Sequence, residues 1–265
     1  MMIPFVFLFI FAPLSGSLSD RIGSRLLCTL GMTLLAVSLF LMSRLVKVLE
    51  PEARLFLVGT ALIIFVFRAM PNPGPGQTWW MIDQLGFDQR FLSILSLISS
   101  SLALFGMFLF RRFMAERSIA YVITFLTLVG TFLYMPVIGM YYGLHEWTAE
   151  LTNGVVDARF IALVDTALES PLGQVAMIPM LAWIANSAPA NLKATFFAVM
   201  ASFTNLALSA STLGTKYMNQ LYTVTREVKE RDSGAISVPA DYSELGWLMI
   251  TVAALTFLLP ITAIL

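Results

Sequence analysis

Long apolar runs separated by short polar joints dominate the chain. The runs cover residues 3–14, 26–42, 55–69, 91–110, 119–140, 160–186, 194–221 and 245–265. A helix crossing the roughly 30 Å hydrocarbon layer takes about 20 mostly apolar residues, and most of these runs approach or exceed that length. They lack the period-two alternation of barrel strands, and an open lipid-facing strand would leave its backbone groups unsatisfied. The pattern therefore predicts an all-α integral membrane protein with about eight transmembrane helices. The first run begins at Met1-Met2 without a basic leader and continues into a patterned turn, so it reads as a truncated span rather than a signal peptide. The joints fall at 15–25, 43–54, 71–90, 111–118, 141–159, 187–193 and 222–244. In the last, the charge run from Arg226 to Asp232 reads as a solvated helix end and loop.

Composition agrees with the pattern. Hydrophobic residues make up 58% of the 265 positions and charged residues 12%, with a mean hydropathy of +0.83. A soluble domain is typically about 25% charged, so a soluble enzyme, a DNA-binding protein and a secreted scaffold are poor fits. Sixteen basic residues balance sixteen acidic ones, which gives no sign of a nucleic-acid partner. One cysteine, Cys28, and one histidine, His145, exclude an internal disulfide, a cysteine metal cluster and a multi-histidine site. No phosphate-cradling loop of the Walker type is present, which argues against an ATP-driven pump. Neither a cofactor nor an enzymatic activity is expected.

Basic residues set the orientation, because positively charged loops stay cytoplasmic. Placing joints 43–54, 111–118 and 187–193 inside collects Arg44, Lys47, Arg54, Arg111, Arg112, Arg117 and Lys193, against Arg90, Arg226, Lys229 and Arg231 outside. Joint 15–25 breaks the alternation. Either the first two spans are misjudged or a helix is missing near 43–54.

That joint contains Gly16-Ser-Leu-Ser-Asp20-Arg21-Ile-Gly23-Ser-Arg25. Its glycines permit a tight turn between helices, and its arginines can anchor the cytoplasmic face. The segment resembles the signature loop of the major facilitator superfamily. The resemblance implies a gating role for Gly16, Asp20, Arg21, Gly23 and Arg25, and a two-bundle fold with substrate bound between the bundles.

A narrower resemblance covers more than half of the chain, from about residue 55 to 221. Phe67-Arg-Ala-Met-Pro-Asn-Pro-Gly-Pro-Gly-Gln-Thr-Trp-Trp80 with Leu85-Gly-Phe87 is one stretch that carries it. Another is Asp157-Ala-Arg-Phe-Ile-Ala-Leu-Val-Asp-Thr-Ala-Leu-Glu169 with Gly173-Gln-Val-Ala-Met-Ile-Pro179. Ala188-Pro, Ala194-Thr-Phe-Phe-Ala198 and Ser202-Phe-Thr-Asn205 complete it. These stretches resemble the seventh, tenth and eleventh helices and adjoining joints of the folate-biopterin transporter family, with Val164 standing where a glycine is expected. The resemblance implies that residues 46–265 form a carboxyl-terminal six-helix bundle. Residues 1–45 would be a partial amino-terminal-half segment, and the chain a partial one needing missing helices or a second bundle. It also implies a multi-pass protein of a cell inner membrane or plastid envelope.

Charge placement suggests where chemistry happens. A charge inside a span is costly and usually faces a cavity or a partner. Arg159, Asp165 and Glu169 sit in or at the head of one run. Asp165 and Glu169, four apart, share a helix face, whereas Arg159 is turned about 240° from Asp165. Like charges that close repel, and a gained proton relieves the repulsion, which suits the pair to proton coupling. The alternative is that both carboxylates cap a helix end or pair with basic residues. Pro171 and Pro179 free backbone carbonyls on the same run, and Gly173 with Gln174 allows close approach and offers an amide.

A folate-like substrate would set matching demands. A carboxylate can take two hydrogen bonds from the amino-pyrimidinone edge of a pterin, and Arg can clamp the glutamate tail. Asp165, Glu169, Arg159, Gln174, Arg68 and Asn205 are the candidate binding residues. Arg68 has the alternative of snorkelling to headgroups, and Trp79 and Trp80 of lying in an interfacial belt. His145 and Glu146 read as a surface pair. The expected function is a folate or pterin transporter, proton-coupled and working by alternating access. A drug or metabolite exporter and a non-transporting assembly subunit are the alternatives.

Overall fold

The computed structural model describes residues 51–173, 193–229 and 236–264, with Thr33, Val37 and Phe40 on helical backbone before them. The chain divides into two compact units, Met1–Leu57 and Val58–Leu265. The predicted spans 3–14 and 26–42, apart from those three residues, lie outside the described residues, as does 174–186.

Helices occupy the other apolar runs: α1 Pro51–Arg68, α2 Pro75–Asp83, α3 Gln89–Leu109, α4 Arg111–Glu116, α5 Ile119–Tyr141, α6 Leu144–Leu151, α7 Ala158–Gly173, α8 Lys193–Leu221 and α9 Leu245–Ile264. Gln89–Leu109, Ala120–Tyr141 and Leu245–Ile264 are long and apolar enough to cross a membrane. Capping side chains set several starts. Asp88 accepts from Phe91 N at 2.7 Å, Asp157 from Phe160 N at 2.8 Å and Ser118 from Tyr121 N at 3.3 Å.

Several joints are more structured than the sequence pattern suggests. α2, α4 and α6 lie in stretches expected to be plain connections, and α1 begins at Pro51, within the expected joint 43–54. Short helices carry too few apolar residues to register as runs. The described part of the charge run, Arg226–Lys229, follows the end of α8 as loop and strand rather than as a helix end, with Arg226 and Glu227 exposed. Val228–Lys229 pairs antiparallel with Ile236–Val238, in register Val228↔Val238 and Lys229↔Ile236. Val228 and Ile236–Val238 of this hairpin are exposed, so its polar backbone edges need no lipid-tolerant closure.

Packing places α5 at the centre, against α9 on one side and α7 on another, while α7 also packs along α3. On α9 the buried residues Leu245, Leu248, Met249, Val252 and Ala253 form one helical stripe, and Trp247 and Leu258 face outward. On α3 the outward face is Leu97, Leu104, Phe105 and Phe108, an apolar surface fit for lipid. α3 and α7 meet closely. Ser170 Oγ lies 2.9 Å from Ser99 Oγ, and Gly106 faces the backbone of Pro171.

The joints 71–90, 141–159 and 222–244 gather at one end, as strict alternation of the spans predicts. Tyr141 donates to the carbonyls of Tyr242 (2.8 Å) and Ser243 (3.0 Å). Arg159 Nη2 donates to Gly86 O at 3.3 Å, and Arg226 pairs with Asp83 at 3.4 Å. Tyr242 donates to Asp83 Oδ2 at 2.5 Å. Burial, then the bond to the Asp83 carboxylate, push the Tyr242 phenol up to about 12. Trp80 is buried in this same cluster against Tyr141, with ring centroids 5.6 Å apart. It is a core residue, neither a belt residue nor a stacking platform, because its ring fills the junction of α2 and α5.

Candidate functional site

The most distinctive feature of the bundle is a break in a helix. α1 ends at Arg68, and residues 70–74 run as Met-Pro-Asn-Pro-Gly before α2 begins at Pro75. Proline at 71 and 73 removes two backbone donors, and Gly74 takes φ +75°, a left-handed conformation open to glycine. Pro75 then sits at the first position of α2, where its missing N–H costs nothing.

The groups left unpaired by the break are met by α8. Ser211 donates to Met70 O at 2.6 Å, Asn72 N to Thr215 Oγ1 at 3.0 Å, and Asn219 Nδ2 to Pro73 O at 3.2 Å. Gly74 N donates to Asn72 Oδ1 at 2.9 Å. Ser211, Thr215 and Asn219 recur every four residues and so form one polar stripe on α8. Ser211 lies ten residues before the end of α8 at Leu221, about 15 Å along the axis. The break thus runs from about 15 Å below the helix end, at Met70, up to near that end, at Pro73. Irregular backbone at such depth is tolerated only where protein buries it or a cavity adjoins it.

A cavity does adjoin it. A space of about 260 Å³ is lined by Pro71, Asn72 and Pro73 of the break and by Gly130, Thr131 and Tyr134 of α5. Glu169 of α7 and Val252, Ala253 and Thr256 of α9 close it. Tyr134 donates to Gln77 Oε1 of α2 at 2.9 Å. Glu169 also borders a second, more open space of about 460 Å³ with Ser96, Ser99, Thr166 and Ser170. Asp165 opens instead to an almost wholly apolar space of about 240 Å³ with Pro136, Thr148, Val156 and Phe160. Its Oδ1 is buried without a hydrogen-bond partner among the described residues.

The model of the BT1 family matches residues 10–265, nearly the whole chain. The chain belongs to the BT1 family. It is also similar to a protein of Synechocystis sp. described as a folate-biopterin transporter, 27% identical over 168 residues. That alignment takes in 60% of this chain and 33% of the relative, so the chain spans about a third of the length of the curated relative it matches. No solved structure matches it.

In this BT1-family chain, Asp165 and Glu169 lie on α7, close enough for their charges to interact, but they line different cavities. Arg159 is exposed near the head of α7, its guanidinium 5.5 Å from the Phe91 ring and bonded to Gly86. Arg68 is half-buried at the end of α1, its Nε buried without a partner among the described residues. Asn205 is exposed on α8, and none of the three cavities above includes it. Gln174 and the loop residues Gly16, Asp20, Arg21, Gly23 and Arg25 lie outside the described residues. His145 is half-buried rather than a surface residue, with Nδ1 shielded by the turn that opens α6.

Tyr134, Thr131, Gln77 and the Pro71–Pro73 break were not among the residues the sequence singles out for binding. Signals for them exist. Thr131 and Tyr134 are polar positions three apart and so share one face of their run, and Gly74-Pro75 marks a helix restart.

Proposed function

We propose that this chain is part of a secondary transporter for folate or pterin compounds, with the substrate held beside the break between α1 and α2. The observation that carries the reading is the cavity at that break, into which Glu169 opens. The folate-biopterin transporter of Synechocystis sp. supports the substrate class. Broken membrane helices beside a central site are a recurrent feature of secondary transporters.

Proton coupling through Glu169 and Asp165 and a major facilitator-type two-bundle cycle complete the proposal. Asp20 and Arg21 would belong to the gate, and Arg159 or Arg68 would meet the tail of a folate. The membrane would be a cell inner membrane or a plastid envelope. The test is uptake of radiolabelled folate at two external pH values by cells expressing the complete reading frame. Uptake that rises at acid pH and is lost in Asp165→Asn supports the proposal. Normal membrane insertion with no uptake of folate or biopterin overturns the substrate reading.

A further inference from the structure

Thr127 and Thr131 of α5 both keep a buried hydroxyl with no hydrogen-bond partner among the described residues, and of the two only Thr131 lines one of the cavities above. Thr124, Thr204 and Thr212 each donate to the carbonyl four residues earlier, at 2.8, 2.9 and 3.0 Å. Thr131 Oγ1 makes no such bond. It is buried with no partner among the described residues, and its residue lines the cavity at the helix break. A buried hydroxyl that forgoes the bond within its own reach leaves a donor and acceptor available to whatever enters the cavity.

The rest of the wall narrows what that is. At about 260 Å³ the space is smaller than the roughly 300 Å³ at which cavities for drug-sized ligands begin, so it suits a ring system rather than a whole folate. Among the described residues no Lys or Arg lines it, while Glu169 does, so the dicarboxylate tail of a folate would meet repulsion here rather than a clamp. A carboxylate accepts well from adjacent ring N–H and amino groups. Pro71, Pro73, Val252 and Ala253 supply apolar walls for a flat ring. Tyr134 borders the same space, with its hydroxyl already committed to Gln77.

We infer that the cavity between the Pro71–Pro73 break, α5 and α9 is the subsite for the bicyclic amino-pyrimidinone ring of the substrate, with Thr131 and Glu169 as its recognition groups. The inference rests on the folate or pterin reading above and assigns one end of that substrate to one place. The tail lies outside this cavity.

The experiment compares Thr131→Val and Thr131→Ser with the unaltered complete transporter, using folate and tail-less biopterin as substrates. Thr131→Val keeps the shape of the side chain and breaks no hydrogen bond of the described fold, so membrane abundance is expected to hold. Its KM should rise about three- to tenfold, by the same factor for both substrates, with kcat changed less than twofold. Thr131→Ser, which restores a hydroxyl, should return KM to within about twofold. A KM rise for folate alone would place the tail here and overturn the assignment. Unchanged KM for both substrates, with normal abundance, would overturn it as well. Failure of the unaltered transporter to carry either substrate would overturn the proposed function instead, and the two failures are distinct.

Discussion

Tyr134 and Gln77 are joined by a hydrogen bond of 2.9 Å from the phenol hydroxyl to the amide oxygen. The bond ties α5, which lines the cavity, to α2, which follows the break, so these two elements are coupled at that point. Tyr134→Phe and Gln77→Leu each remove the same bond. Each is expected to slow uptake about two- to twelvefold, the range of about 0.5–1.5 kcal/mol for one hydrogen bond. The double variant should be no slower than the slower single, because one interaction is lost in all three. Initial uptake rates normalised to membrane abundance test this. Additive losses would show that the two side chains act separately.

Glu169 borders both the cavity at the helix break and the more open space between α3 and α7. A group with access to two spaces is placed to take a proton from one and release it to the other. Glu169→Gln keeps the shape and removes the titration. Its uptake should become nearly independent of external pH between about 5 and 8, the range over which a proton-coupled carrier responds. Persistence of the original pH dependence would remove Glu169 as the proton carrier. Counterflow exchange, which needs no net proton movement, should survive in this variant.

The long helices with the most apolar sequences were also the most legible. Runs of about 20 apolar residues fix α3, α5 and α9, because nothing but a helix satisfies the backbone in lipid. Asp165 and Glu169 were legible too, since a carboxylate in an apolar run is conspicuous. That they line separate cavities was not. Four residues place two side chains on one face, but which neighbour each meets depends on α5, which crosses α7 at Pro136 and Tyr134. The break at residues 70–74 read as an ordinary joint, because its partners Ser211, Thr215 and Asn219 lie some 140 residues away. Trp80 was misread for a related reason. Its burial is made by Tyr141 and the start of α9, which no local pattern near residue 80 announces.

Tyr242 and Asp83 close the end of the bundle where α2, α5 and α9 meet. The folded phenol titrates near 12 against its ordinary value of 10.0, raised by burial and by the Asp83 carboxylate. A group whose folded value lies above its unfolded one contributes stability that is fully present below 10 and is lost as pH rises through about 12. Ultraviolet titration of phenolate should therefore show Tyr242 among the tyrosines that ionise late, and Tyr242→Phe should reduce the amplitude of that late phase by one tyrosine. The same variant is expected to lower the thermal unfolding midpoint in detergent through loss of about 1 kcal/mol. A phase unchanged in Tyr242→Phe would assign the late titration to another tyrosine.

At Gly106 the backbone of α3 approaches that of α7 closely. A Cβ built there would overlap the carbonyl oxygen and Cα of Pro171, which are backbone atoms that cannot rotate away. Pro171 has no N–H and already perturbs the turn of α7 that faces α3, so the two helices are fitted at this point by the absence of a side chain. Between membrane helices, small residues at the contact set how near the backbones come. Gly106→Ala therefore has to push α3 outward, and overpacking of this kind costs about 1–3 kcal/mol. The displacement should also lengthen the Ser99–Ser170 contact and widen the space bordered by Glu169. Gly130→Ala on α5 is the control, since nothing lies within 4 Å of a Cβ added there. Thermal unfolding in detergent should place Gly106→Ala several degrees below Gly130→Ala. Equal midpoints would show that α3 is free to shift, and that the close approach does not hold the pair together.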